Sequence, residues 1–179
     1  KDALTIAKLV KDGRYFELYL PHDIYAELRG LSTTRTGLNK RKNALKNTIT
    51  AVLDEFFPEY EEVFKHPLTG KASRHILKTC PFPKFIIELG EEGSVGVDYG
   101  EEAAKFKLRL MLEELELLEK QTEELEGQME SALEKTDYAE FLLSIKGIGV
   151  VTLAACLGEL GDPTRFDSPR QMSRMAGYN

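Results

Sequence analysis

The chain has 179 residues and a formal net charge of −6, set by 24 Lys plus Arg against 30 Asp plus Glu. With 42% hydrophobic and 30% charged residues it has enough apolar side chains for a core, which excludes a wholly disordered polymer. No apolar stretch approaches the roughly 18–20 residues that a membrane helix needs; the longest, Val150–Leu157, has eight, Thr152 among them.

The pattern along the chain is helical. Asp2–Lys11 predicts a short helix with apolar Leu4, Ile6, Leu9 and Val10, stopped by Gly13. Tyr15–Leu20 is too short for periodicity to separate a strand from an extended linker. Pro21 precedes a much longer element. Its stripe, Leu28, Leu31, Arg35, Leu38, Lys42, Leu45, Ile49, Val52 and Phe56, advances in steps of three and four, a heptad seam with two cationic interruptions that ends before Pro58.

A second seam runs through Leu108, Met111, Leu115, Leu118, Thr122, Leu125, Met129 and Ala132. Neither segment can bury its stripe alone, so the two are expected to pair antiparallel as a coiled-coil arm. Charge agrees. Leu28–Leu53 holds six cations (Arg29, Arg35, Lys40, Arg41, Lys42, Lys46) and no acid, whereas Glu113–Glu140 holds eleven acids against Lys120 and Lys135. Opposite flanks favour association and fix its register.

Between them, Pro58 to Ala104 carries Pro58, Pro67, Pro81 and Pro83, a helix expected around Ala72–Lys78, and a Gly-rich stretch from Gly90 to Gly100. A small subdomain or a mobile loop is expected there. In the last third, Asp137 with Glu140 resembles a capping signal for a helix over Tyr138–Ile145. Lys146-Gly147-Ile148-Gly149 follows, then an apolar helix from Val150 to Leu160 that Gly161-Asp162-Pro163 breaks. Ser168-Pro169-Arg170-Gln171 starts a last helix, which Gly177 would end.

Cys80 and Cys156 are isolated thiols, and His22, His66 and His75 have no ligand spacing, so all five are read as structural or surface residues. Three features can carry function. Two helices joined by Gly147-Ile148-Gly149 make a helix-hairpin-helix-like unit, whose second helix starts with unpaired amides suited to a phosphate; Lys146 adds a cation beside them. A tight helix–helix corner without a ligand explains the same residues. The stretch from Arg35 to Asn47, with Lys40, Arg41, Lys42 and Lys46, mixes cations with Asn and Thr, good partners for phosphates and 2′-hydroxyls. Asp2 at a helix start is by itself only a favourable charge near the helix dipole.

These residues also carry a family resemblance. Asp2-Ala3-Leu4-Thr5-Ile6-Ala7 resembles the end of the D-x-x-D-A-x-x-I-A motif of the insertion-sequence 110 family of bacterial transposases. Arg41-Lys42-Asn43-Ala44-Leu45-Lys46-Asn47, followed by Phe57-Pro58-Glu59, is similar to that family's central basic helix. Ser144–Thr152, Gly158–Phe166 and Met175-Ala176-Gly177-Tyr178 resemble its C-terminal domain, and the pieces stand in the family's order.

The resemblance implies a RuvC-like, metal-binding N-terminal domain in which Asp2 is the last acidic residue, a catalytic and metal ligand for a divalent ion such as Mg2+. It implies a serine nucleophile soon after Ala176-Gly177-Tyr178, beyond Asn179, so Ser144, Ser168 and Ser173 are not candidates. DNA, a guide RNA encoded by the element and further copies of the chain are the implied partners, in the bacterial cytoplasm at the nucleoid, with no membrane. Lys146 stands where the family commonly has Pro, and the region around Glu92–Val97 is short beside the family's.

The expected architecture is mainly α. Residues 1–20 end a RuvC-like α/β domain, 21–135 form the arm with its connector, and 136–179 begin the C-terminal domain. Both ends look like cuts through a longer protein, and a fragment inactive by itself is expected. Without the resemblance, a non-catalytic nucleic-acid adaptor or a coiled-coil dimerisation module would also account for these features.

Overall fold

The computed structural model describes residues 2–13, 19–79, 82 and 100–175. These residues are mainly helical and include no strand. The expectations placed on Tyr15–Leu18, Cys80, the 83–99 stretch and Gly177 lie outside them. The helices are α1 (Asp2–Lys11), α2 (Asp23–Phe56), α3 (Tyr60–Val63), α4 (Lys71–Thr79), α5 (Glu101–Leu133), α6 (Ala139–Leu143), α7 (Val150–Leu160) and α8 (Pro169–Met175), with a 3-10 turn at Pro163–Arg165. The chain divides into two compact units, one of residues 1–30 with 132–179 and one of residues 31–131.

In the second unit, α2 and α5 pack antiparallel. Arg35, early in α2, meets Glu126, late in α5, and Ile49, Val52 and Leu53 share a core with Leu108, Met111, Leu112 and Leu115 from the opposite end of α5. Across the whole chain, every residue of both predicted stripes is buried or half-buried, Arg35 and Lys42 included. Helix α2 stops at Phe56, where Pro58 disfavours helical backbone for the residue before it.

The chain after Pro58 folds back over that core. Tyr60, Leu68, Leu77 and Phe82 are buried within it. The Tyr60 hydroxyl, fully buried, donates to the Ser73 carbonyl at 2.8 Å and lies 2.6 Å from the Ser73 hydroxyl, which donates to the Pro67 carbonyl at 2.6 Å. This chain of bonds satisfies polar groups that burial would otherwise penalise by about 1–3 kcal/mol each. The predicted helix around Ala72–Lys78 is present as α4.

The first unit is built on α7, whose buried face is Leu153, Ala154, Leu157 and Gly158. Leu28, Ala132, Leu133 and Ala139 are buried in the same unit. At Gly158 the helix lies so close to α2 that a Cβ there would stand 2.7 Å from the Arg29 nitrogen and 2.8 Å from its Cα. Gly161 ends α7 with φ +71, and the Tyr19 ring fills the space a side chain would need. Asp162 then caps the 3-10 turn, accepting from the Thr164 amide and hydroxyl at 2.8 Å each, which holds its carboxyl below the usual range. Arg165 lies 3.8 Å over the Tyr19 ring and donates to the Leu160 carbonyl at 3.0 Å. Helix α1 buries none of its residues.

One local expectation needs correction. Asp137 does not cap α6: the N-cap is Tyr138, already in the helical region at φ −105 and ψ −13, with no side-chain cap bond. The turns after α5 place Asp137 one residue too early, and α6 ends at Leu143 with Ser144 as its C-cap. Helix α8 starts at Pro169 as read, but Gln171 reaches back to accept from the Asp167 amide at 2.9 Å, one residue before the Ser168 that a capping box would use.

Candidate nucleic-acid interface

The cations of α2 divide into those engaged by α5 and those that are not. Arg35, half-buried, holds Glu126 at 2.6 Å through both Nε and a terminal nitrogen. Arg41 and Glu114, both exposed, stand 3.8 Å apart. Lys42 and Lys46 are half-buried and near enough to Glu119 to help lower its pKa, though Arg74 contributes most. Lys40 is exposed. Arg35 and Arg41 thus have acidic partners on α5, Lys42 and Lys46 act on Glu119, and Lys40 and Arg41 are the exposed cations of the stretch from Arg35 to Asn47.

Two cations outside that run tie α4 to α5, and the heptad stripes do not include them. Arg74 of α4 grips Glu119 bidentately, both contacts at 2.7 Å, and also donates to the Leu68 carbonyl. Lys78, one turn later, meets Glu116 at 2.6 Å. Arg74 raised and Glu119 lowered are the two sides of one charge-assisted bond. The available signal was a basic pair at i, i+4 on a short helix, matching acids on α5 at i and i−3.

The glycine turn is the second part. Gly147 has φ +98, a backbone state that L side chains rarely adopt, and Gly149 is the extended N-cap of α7. No side chain caps α7, whose first turn is Val150-Val151-Thr152. Helix geometry leaves those amides without intrahelical partners. Lys146, Gly147 and Gly149 are exposed, while Ile148 is half-buried, its amide donating to the Ile145 carbonyl at 3.1 Å. Ser144 donates to the Phe141 carbonyl at 2.6 Å and Ser173 to the Pro169 carbonyl at 3.1 Å, both local helix contacts. Cys156 is exposed on α7, and the partial desolvation of its thiol by neighbouring groups pushes its pKa up.

Asp2 stands exposed in the first turn of α1. Among the described residues no three His, Cys, Asp or Glu side chains gather to hold a metal ion. A divalent cation needs several oxygens, so these residues do not in themselves constitute a metal centre. Among the described residues no helix is long and apolar enough to cross a membrane.

Known families account for both ends of this arrangement. Residues 1–58 match a model described as Transposase, of the DEDD type of IS110 elements, and residues 139–179 match the model described as Transposase IS116/IS110/IS902 family. The chain is a DNA transposase by class, an enzyme type that acts on DNA. More narrowly, with the two matches in order and together spanning more than half of its residues, it belongs to the IS110 family. No curated protein and no solved structure matches it.

Proposed function

We propose that the chain works in RNA-guided DNA recombination by serine transesterification, as part of a homo-oligomer. In this reading a serine following Ala176-Gly177-Tyr178, beyond Asn179, attacks a DNA phosphodiester. Its oxygen bonds to phosphorus, the displaced deoxyribose oxygen takes up a proton, and a second strand's hydroxyl later reverses the exchange. A phosphodiester to serine keeps the bond energy needed for resealing. Asp2 would be one carboxylate of a divalent-metal set, and the metal would offset charge developing on the attacked phosphate. The helix-hairpin-helix-like turn, with Lys146, Gly147 and Gly149, holds a phosphate, and α2 meets guide RNA or DNA through Lys40, Arg41, Lys42 and Lys46, with Arg35 behind them.

The observation that supports this reading is the ordered pair of family matches, the first of which, residues 1–58, includes α2 and its basic run. The ion pairs of Arg35 and Arg41 favour a second reading, in which the run only fixes helix pairing. Binding of structured RNA and duplex DNA across a salt series separates them, measured beside a variant with Lys40, Arg41, Lys42 and Lys46 changed to Glu. Contact with phosphate gives steep salt dependence, and losing four contacts flattens the duplex-DNA log–log slope by roughly 3–4 units. Equal, weak binding by both proteins would leave the run a protein–protein strut.

A further inference from the structure

Arg165, at the end of the 3-10 turn, reaches stretches of the first unit that are far apart in sequence. Its Nε donates to the carbonyl of Leu160, the last residue of α7, at 3.0 Å, and a terminal nitrogen donates to the sulfur of Met175, the last residue of α8, at 3.0 Å. The guanidinium carbon lies 3.8 Å from the centroid of the Tyr19 ring and 4.3 Å from that of Phe166. A planar guanidinium can stack by its face and donate along its edge at the same time, which an ammonium cannot. Tyr19 is fixed in turn, packed where a Cβ on Gly161 would collide with its ring and hydroxyl. Asp162 accepts from the Thr164 amide and from the Tyr138 hydroxyl, so the backbone that carries Arg165 is pinned as well.

Helix α8 needs such a tether. It has seven residues and buries none of them, and isolated helices shorter than roughly 12–15 residues are marginal in water. Gln171 and Ser173 bond locally, to the Asp167 amide and the Pro169 carbonyl, and so do not place the helix against the rest of the unit. Among the described residues, the hydrogen bond that ties the far end of α8 to another element is the one from Arg165 to Met175. Met175 immediately precedes Ala176-Gly177-Tyr178, whereas Tyr19 belongs to the segment that follows α1 and Asp2. One side chain thereby links the chain after Asp2 to the chain entering that element.

We propose that Arg165 is a positioning residue that docks α8 onto the Tyr19 segment and so sets where the chain enters Ala176-Gly177-Tyr178. The docking follows from the contacts of Arg165 and stands apart from the chemistry; its use in strand cleavage rests on the serine reading above. Arg165 acts through Met175 and Tyr19, not on the DNA itself.

The test follows the methyl groups of Met111, Met129, Met172 and Met175 by NMR in the 179-residue chain labelled with carbon-13 methyl methionine, with Met175→Leu identifying the Met175 line. Arg165→Ala is expected to move that line toward its position in the urea-unfolded chain and to sharpen it, while the Met111 and Met129 lines of α5 stay in place. Tyr19→Ala should move it the same way, Tyr19→Phe should restore it by keeping the ring, and in the Arg165→Ala background Tyr19→Ala should add nothing. Should Arg165→Ala lose helical circular dichroism, Arg165→Lys, which keeps the charge without the planar edge, carries the same reading. In the protein extended through the serine, Arg165→Ala should slow single-turnover strand cleavage on the order of 100-fold at unchanged DNA affinity, the cost of misplacing a reacting group by about 1 Å. A Met175 line indifferent to Arg165, or one that Tyr19→Ala still moves once Arg165 is gone, would overturn the docking. A moved line with cleavage intact would overturn the positioning role. Cleavage absent from the wild type counts against the serine reading alone, and the methyl lines still decide the docking.

Discussion

Gly158 is where α7 comes within contact of another backbone, and it shows how much one absent methyl group can decide. A Cβ there would meet the Arg29 nitrogen at 2.7 Å and the Leu28 carbonyl carbon at 3.0 Å, both main-chain atoms with no freedom to swing aside. Gly158→Ala is expected to cost about 1–3 kcal/mol by forcing the helices apart. Gly37→Ala, in α2 with nothing within 4 Å of its Cβ position, should instead stabilise by about 0.5–1 kcal/mol. Urea denaturation of the two variants reads both signs. Glu119 supplies a pH dependence. Its folded pKa lies below the ordinary carboxylate value near 4.5, chiefly through hydrogen bonds from Arg74. The Arg74–Glu119 contact therefore stabilises fully above the unfolded pKa, and its contribution fades as pH falls through the folded value. Glu119→Gln should lower stability at neutral pH and converge on the wild type in acid, once both side chains are uncharged. A difference that persisted unchanged into acid would assign the loss to packing.

At the scale of elements, periodicity was the informative signal and capping the weaker one. The two heptad stripes were legible because a buried helix face needs apolar residues every three or four positions, and α4 and α7 were legible from composition and breakers. The capping of α6 was not, since Asp137-x-x-Glu140 fits a capping pattern whichever residue the preceding turns bring to the cap. Nor was the fold-back of Tyr60 onto Ser73, a contact between separate turns that no local pattern encodes. For the glycine turn, the two glycines make different predictions. Gly149 has φ −103 and ψ 169, with nothing within 4 Å of its Cβ position, so Gly149→Ala should fold with a change below about 1 kcal/mol. Gly147, at φ +98, should lose about 1–2 kcal/mol on the same change. If a phosphate seats on this turn, Gly149→Ala weakens duplex binding several-fold at unchanged melting temperature. Unchanged binding makes the turn a packing corner.

For the molecule as a whole, a net charge of −6 means that any attraction for nucleic acid is local. The sequence separated the basic and acidic segments, yet it could not show that Glu126 and Glu114 partly neutralise Arg35 and Arg41 across the helix pair. Removing that neutralisation is informative. Glu114→Gln combined with Glu126→Gln should tighten duplex-DNA binding at low salt and steepen the salt slope by up to about two units if the arginines reach phosphate. Identical titrations would confine both arginines to the helix pair. The discontinuity of the first unit has a bearing on synthesis. Its two parts, residues 1–30 and 132–179, are separated by 101 residues that form a unit of their own. Tyr19 cannot meet Gly161 and Arg165 until those residues leave the ribosome. At typical elongation rates the first 30 residues wait about 5–20 s while the intervening segment emerges and pairs its helices. During that interval Leu28 and Tyr19 lack the surfaces that later cover them, which makes the nascent chain, more than the finished protein, the state most in need of a chaperone.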